Sequence, residues 1–197
     1  MAAVLASAIT ACTPVPQDRG VEAAMVVPKA GTWEAAILPE DAVRLGNRQA
    51  LWERAIAMTT QRNPDLLVKE GALVRPGGAT AAVPPGGSYR CRAIKLGTEN
   101  LGGIAYGWFT CVVFAQDGQS WLVKQTGSQR QAGRIFPDGT FLGGLALGEE
   151  TGTVGYGAIT ERNIVGAFER LGEGHFRLIQ PDPYYESLTD ILELRAR

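Results

Sequence analysis

Residues 120–147, SWLVKQTGSQRQAGRIFPDGTFLGGLAL, carry the clearest sequence signal for the fold. Its apolar runs are short and are separated by turn residues, of which Pro137-Asp138-Gly139 is the clearest set. We predict three consecutive strands here: Ser120–Gln125, Gln129–Phe136 and Thr140–Leu147. Because such short turns join antiparallel neighbours, the stretch indicates a β meander.

The same alternation of strands and turns continues on both sides of this stretch. Five further strands are predicted: Tyr89–Leu96, Gly107–Ala115, Ile164–Leu171, His175–Gln180 and Ile191–Arg195. The predicted fold class is α+β, mainly antiparallel β. We expect a curled meander or lipocalin-like barrel of about eight strands with an N-terminal helical segment, since a barrel removes exposed strand edges. A β-sandwich is the alternative.

A helical segment precedes the strands. Pro39-Glu40-Asp41 is typical of a helix start, and apolar residues including Trp52 follow at a helical period. Asn63 is a candidate N-cap of a second, short helix, whose Leu66-Leu67-Val68 we expect to pack beside the first. Residues 75–87 are rich in Pro, Gly and Ala, which predicts a linker.

The N-terminus indicates export. Ala2–Ala11 is apolar and too short to span a bilayer, and Ile9-Thr10-Ala11-Cys12 resembles the lipobox of bacterial lipoproteins. We predict lipidation of Cys12 and a periplasmic protein anchored by its lipid, at the outer membrane rather than the inner one. No Lys or Arg precedes the apolar stretch, which leaves an ordinary cleaved signal and a plain apolar tail as alternatives.

These observations divide the chain into four predicted parts. They are a signal and lipobox segment (1–12), a tether (13–32), a helical segment (33–75) and a β domain (88–197), and we expect 33–197 to form one structural unit.

Composition narrows the classes of partner. The chain has 197 residues, 45% of them hydrophobic, and a net charge of −1. That hydrophobic content supports a real core. The absence of net positive charge argues against nucleic acid, which requires a basic face. We therefore expect the membrane to be contacted through the N-terminal lipid only.

Two further cysteines, Cys91 and Cys111, lie symmetrically about Leu101 in a predicted hairpin. This register pairs Tyr89 with Val113, and it brings the two cysteines opposite each other, close enough to form a disulfide. Oxidation is expected in an exported protein. Two buried free thiols are the alternative.

Catalytic signatures are weak. The single histidine, His175, excludes a site with several histidine ligands, and we predict no metal and no cofactor. No serine lies in a nucleophile elbow. Glu149-Glu150 could pair with another carboxylate as the acid and base of a hydrolase, although acid pairs just after a strand are usually solvated.

The stretch 124–134 is polar and cationic inside an otherwise apolar meander. On a strand, Ser128, Arg130 and Arg134 share one face, and Gln129 lies on the other. Two guanidinium groups on one face could hold a carboxylate or phosphate. The candidate ligand-binding residues are Arg130, Arg134, Ser128, Gln129, Arg90 and Arg92. The alternative is structural: arginines paired with Glu149, Asp190 or Glu193.

Several blocks resemble the family known as domain of unknown function 4893, found in exported proteins of alphaproteobacteria. The resemblance extends from Trp33 to Leu194. The blocks are Pro39-Glu40-Asp41, Ser88–Gly97, Thr126–Arg130, Gly133-Arg134, Phe141-Leu142-Gly143, Arg177-Leu178-Ile179 with Pro181, Ser187-Leu188 and Asp190–Leu194. This resemblance implies export and the extent of the domain, but no activity.

The sequence thus favours a non-enzymatic exported protein. Our first hypothesis is a barrel that binds a small anionic or apolar ligand, or an envelope protein partner. An envelope inhibitor or partner-binding module is the second hypothesis, and a hydrolase built on carboxylates is the third.

Overall fold

The computed structural model describes residues 31–197, so Cys12, the predicted signal segment and nearly all of the predicted tether lie outside the described residues. Three α-helices and ten strands occur in this range. The helices are α1 (Pro39–Gly46), α2 (Arg48–Arg62) and α3 (Pro64–Glu70), followed by a 3-10 turn (Gly71–Val74). The strands are β1 (Thr80–Ala81), β2 (Gly87–Thr98), β3 (Gly102–Ala105), β4 (Phe109–Gln116), β5 (Gln119–Lys124), β6 (Gln129–Ile135), β7 (Thr140–Leu147), β8 (Asn163–Gly172), β9 (His175–Pro181) and β10 (Thr189–Ala196).

Eight strands form a closed antiparallel barrel. Strand β2 pairs with β4, each strand from β4 to β9 pairs with the next, and β10 pairs back with β2. This up-and-down order confirms the predicted barrel, and the β-sandwich alternative is wrong. All eight predicted strands are present, with ends that differ by two residues at most.

Two strands were not predicted. Strand β1 lies inside the predicted linker, where Thr80 and Ala81 pair with Arg170 and Glu169 of β8. Strand β3 pairs with the C-terminal part of β2 and forms the tip of a long hairpin. Both strands are short, so neither shows the alternation of apolar and polar residues that marks a strand in sequence.

The helices begin as predicted but divide differently. The helix that starts at Pro39 ends at Gly46, and α2 begins after Asn47. Glycine is a poor helix former, which accounts for a break at this point. Asn63 caps α3 as predicted, since its side chain accepts a hydrogen bond from the Leu66 amide. Val68 does not pack beside α2 and is 76% exposed.

The helices cover the outside of the barrel. Trp52 and Ala55 of α2 pack with Leu66 and Leu67 of α3 against the outward-facing Ile94 of β2, in a cluster that β9 and β10 complete. The Trp52 indole N–H donates to the carbonyl of Val74. Trp52 is therefore a core residue, as its helical spacing predicts.

The barrel interior is filled at one end, here called the closed end. Tyr89, Phe176, Phe141 and Phe168 pack there with other apolar side chains from all eight barrel strands. Space for the Phe141 ring depends on Gly133, where an added Cβ would lie 2.7 Å from the ring. The interior at the opposite end is lined by both polar and apolar side chains.

The disulfide predicted between Cys91 and Cys111 is confirmed, with Cα atoms 5.9 Å apart. The predicted register is wrong, because Cys91 lies opposite Phe109 and Tyr89 lies opposite Cys111. The cysteines are diagonal neighbours at a separation that disulfides commonly span. The register shifts in β2 next to Gly97, and β3 occupies the hairpin tip, so an uninterrupted ladder from Leu101 does not form.

Candidate functional site

The open end of the barrel contains a cavity of about 170 Å³, which we call the mouth. Its polar side chains include Lys95, Lys124, Gln131, Gln180, Asp190 and Asn163, and its apolar side chains include Ala93, Phe109, Leu145, Ile164 and Leu192. These residues come from all eight barrel strands. The mouth therefore exists only when the barrel closes.

Lys124 ends β5 inside the mouth and is 5% exposed. Its Nζ donates to the carbonyl oxygens of Thr126 at 2.8 Å and Gln129 at 2.6 Å. The same nitrogen lies 4.0 Å from the centroid of the Phe109 ring. Burial, and then the positive charge of Arg130, lower the pKa of Lys124 to about 8.

A second lysine of the mouth is paired with acids. Lys95 of β2 donates to Asp190 at 3.0 Å and lies 3.4 Å from Glu186. Burial alone would lower the pKa of Lys95, but the two carboxylates outweigh it and the pKa is raised. Burial raises the pKa of Asp190, although Lys95 and the Ser187 hydroxyl, which donates at 2.5 Å, oppose this.

Helix α1 reaches the wall of the mouth through a buried carboxylate. Asp41 accepts hydrogen bonds from Arg44 at 2.7 Å, Tyr156 at 2.7 Å and Asn163 at 2.9 Å. The guanidinium of Arg44 also lies 4.8 Å from the Tyr184 ring centroid at the rim. The hydrogen bonds place Arg44 and Asn163 as fixed parts of the mouth.

The β9–β10 connection covers part of the mouth. Residues 183–186 line the cavity, and Asp182 and Glu186 on either side of Tyr184 have φ angles of 44° and 75°. Residues other than glycine rarely adopt this left-handed backbone conformation without a constraint. Here the ion pair of Glu186 with Lys95 supplies one such constraint.

Only two of the six residues predicted to bind a ligand line the mouth. They are Gln129, which is half-buried, and Ser128, which is exposed at the rim. Gln131, on the same face of β6 as Gln129, accepts a hydrogen bond from Gln180 at 2.8 Å. The predicted alternation of faces along this strand therefore holds, and the glutamine face is the inner one.

Arg130 and Arg134 lie on the outer face of β6. Arg130 donates to the carbonyl oxygens of Gly127 at 3.0 Å and Gly148 at 2.8 Å, and also to that of Glu150. Arg134 is buried, with its guanidinium 4.1 Å from the Phe136 ring centroid. Arg130 thus fastens the neighbouring turns, while Arg134 packs against an aromatic ring.

Arg90 and Arg92 lie on the outer face of β2, which β4 and β5 separate from β6. Their guanidinium carbons lie 4.4 Å and 5.0 Å from the ring of Trp108. Arg92 is also paired with Glu70 at 2.5 Å and Glu193 at 2.6 Å. The structure therefore does not bring the four candidate arginines together, and the pairing of Arg92 with Glu193 matches the structural alternative.

The acid pair does not have the environment of a proton donor. Glu149 and Glu150 are both exposed. Glu150 accepts hydrogen bonds from the Leu147 amide and from Arg162. These contacts, the backbone bond first, lower the pKa of Glu150, whereas a general acid at neutral pH needs a raised pKa.

Residues 31–197 contain neither a cluster of metal ligands nor a helix that could span a membrane. His, Cys, Asp and Glu side chains form no group of three or more there that could hold a metal ion. None of the helices in this part of the chain has both the length and the apolar character required to cross a bilayer.

Sequence reasoning missed the most informative residues of the mouth. Lys124 opens the polar stretch that drew attention, but its burial depends on the neighbouring strands and on the turn at residues 125–128. Lys95 and Asp190 are 95 positions apart and become partners only because β10 closes the barrel against β2. A charged residue at an inward position of a predicted barrel strand is the signal that could have found them.

Comparison with known proteins yields one match. No curated protein and no solved structure matches the chain. The sequence model of one family, described as a domain of unknown function, matches residues 33–194, which cover most of the chain. The match includes the three helices and the barrel strands as far as Leu194 of β10. The chain therefore belongs to the family Domain of unknown function (DUF4893).

Proposed function

We propose that this protein is a non-enzymatic, exported binding protein that holds a small organic molecule in the mouth of its barrel. One observation carries the proposal: the barrel interior is filled with aromatic and aliphatic side chains at the closed end, yet remains open and partly polar at the mouth. A barrel that served only as a scaffold could be filled along its whole length.

The size and chemistry of the mouth favour a compact ligand. Its volume of about 170 Å³ is well below the several hundred Å³ of sites for drug-sized molecules. An apolar cavity of about 150 Å³ is known to hold benzene. Phe109, Leu145 and Leu192 offer an apolar surface, and the polar groups around them can orient one end of a ligand.

The proposed location is the periplasm, with a lipid anchor at Cys12 in the outer membrane. Support comes from the lipobox-like Ile9-Thr10-Ala11-Cys12 and from the Cys91–Cys111 disulfide, because disulfides persist in oxidising compartments. Radiolabelled palmitate should enter the wild-type protein and not Cys12→Ala. Equal labelling of the two proteins would remove the lipid anchor from the proposal.

Binding can be tested by filling the mouth. Ala93 is a small residue on the cavity wall, so Ala93→Phe places a ring in the cavity without changing its charge. Ala115→Phe, at an exposed position of β4, is the matched control. We expect calorimetric titration with benzoate and benzamide to detect binding of at least one to the wild type and to Ala115→Phe, but of neither to Ala93→Phe.

Two results would contradict the proposed function. One is the failure of both probes to bind the wild type at millimolar concentration. The other is undiminished binding to a folded Ala93→Phe variant, which would place the probes elsewhere. Near-ultraviolet circular dichroism of both variants establishes that the barrel has folded.

A further inference from the structure

We propose that the mouth selects organic monoanions and that Lys124 is the residue that determines this specificity by binding a carboxylate group of the ligand. The inference rests on the proposed function and specifies the class of molecule that the mouth takes. It follows from the way the cations of the mouth are partnered.

The mouth contains three cationic side chains, and two of them have carboxylate partners. Lys95 pairs with Asp190 and Glu186. Arg44 pairs with Asp41 at 2.7 Å. These cations are neutralised by the protein itself, so they offer little net attraction to an anion.

Lys124 differs from both. Within residues 31–197 its Nζ has two backbone carbonyl acceptors and one aromatic ring, and it forms no ion pair with any carboxylate. Buried charged groups are usually paired, because removal from water otherwise leaves the charge uncompensated. A bound carboxylate would supply the missing countercharge.

The donors of Lys124 leave room for such a contact. An ammonium group has three N–H donors, and the carbonyl oxygens of Thr126 and Gln129 accept two of them. The third is not used by a hydrogen-bond acceptor in the described part of the chain. Because Lys124 and Phe109 both line the cavity, a ligand carboxylate can meet this donor while an apolar body contacts the ring.

The rim favours a single negative charge on the ligand. Glu186 and Glu161 both line the cavity and both are exposed there. A second anionic group directed toward these carboxylates would be repelled, since like charges placed together disfavour one another. A one-ring acid such as benzoate therefore matches the volume, the apolar surface and Lys124, the cation of the mouth that has no carboxylate partner within residues 31–197.

Three probes of similar size test the inference: benzoate, benzamide and benzylamine. We expect the wild type to bind benzoate at least tenfold more tightly than benzamide, and benzylamine less tightly than either. In Lys124→Met, whose side chain has a similar length and no charge, the benzoate-to-benzamide ratio should fall to about one while benzamide binding persists. Lys69→Met, which removes an exposed lysine of α3, should keep the wild-type ratio.

The outcomes separate this inference from the proposed function. Equal binding of benzoate and benzamide to the wild type, lost in Ala93→Phe, would overturn the role of Lys124 and leave the mouth as a binding site. Preference for benzoate that survives in Lys124→Met would also overturn it. Failure of every probe to bind the wild type would contradict both. Where Lys124→Met does not fold, Lys124→Gln gives the same comparison with a polar, uncharged side chain.

Discussion

The Nζ atom of Lys124 lies 4.0 Å from the centroid of the Phe109 ring, on the neighbouring strand of the barrel. A cation over an aromatic face gains a modest electrostatic stabilisation, which rises when water is excluded. This contact is weaker than an ion pair inside a protein, so it does not replace a carboxylate. The contact with the Phe109 ring explains how Lys124 can remain inside the barrel and still be available to a ligand.

Titration of Lys124 should appear in the pH dependence of stability. Its pKa is about 8 in the folded protein and about 10.5 in the unfolded chain. Between these values the unfolded chain binds more protons, so this group makes stability rise with pH across that window and contributes no further change above about pH 10.5. Urea unfolding from pH 7 to 10 should therefore show a steeper rise for the wild type than for Lys124→Met.

The control for this measurement is Lys69→Met, because Lys69 is exposed. Its profile should follow that of the wild type. A profile of Lys124→Met that runs parallel to the wild type over the same window would show that the Lys124 amine is not desolvated in the folded protein.

Replacing the buried Asp190 should lower the free energy of unfolding more than replacing the exposed Glu186. Asp190→Asn leaves Lys95 without its buried partner, and we expect the free energy of unfolding to fall by about 3 kcal/mol. Glu186 is 57% exposed, so Glu186→Gln should change it by less than about 0.5 kcal/mol. Chemical unfolding at pH 7 measures the free energy of unfolding of both variants. Equal losses would contradict the burial of Asp190 and the exposure of Glu186.

The disulfide should stabilise the barrel by restricting the unfolded chain. Cys91 and Cys111 are 20 residues apart, for which the chain-entropy model gives about 3 kcal/mol. In a Cys12→Ala background, the further change of both cysteines to alanine should lower the free energy of unfolding by about that amount. Intact mass without reductant should show no alkylated thiol in the parent protein, and two alkylated thiols would rule the bond out.

The glycine beneath Phe141 tests the packing of the closed end. In Gly133→Ala the new Cβ would lie 2.4 Å from the Gly143 Cα, and the neighbouring backbone cannot easily move. We expect a loss of about 2–3 kcal/mol from overpacking. Gly107→Ala is the control, since nothing lies within 4 Å of its added Cβ, and comparable losses in both variants would contradict the packing described for the interior.

The strands of the barrel were predictable because the turn residues and the alternation of apolar and polar residues that mark them are local features of the sequence. Turns such as Pro137-Asp138-Gly139 and the alternation of faces along β6 both survive in the structure. The register between β2 and β4 was not predictable from symmetry about Leu101. It depends on the shift at Gly97 and on the interposed β3, which hydrophobic pattern does not reveal.

The site was less predictable than the fold. Arg130 and Gln131 are adjacent in sequence, yet one lies outside the barrel and the other inside it. The arginines were predicted to bind a ligand because of their charge, whereas the mouth is lined by side chains that point inward. Which face of a strand points inward depends on the whole barrel, so Lys124 could be named within the polar stretch but not assigned a position.

Methyl NMR during titration with benzoate tests most directly whether the mouth binds a small organic acid. Leu145, Ile164 and Leu192 line the mouth, whereas Leu122 and Leu194 lie in the filled interior. We predict saturable shifts of the methyl signals of the first three residues, with little change in those of the other two and no saturable response in Ala93→Phe. Absence of shifts at the mouth, or saturable shifts confined to residues outside it, would contradict the claim that the mouth binds a small organic acid.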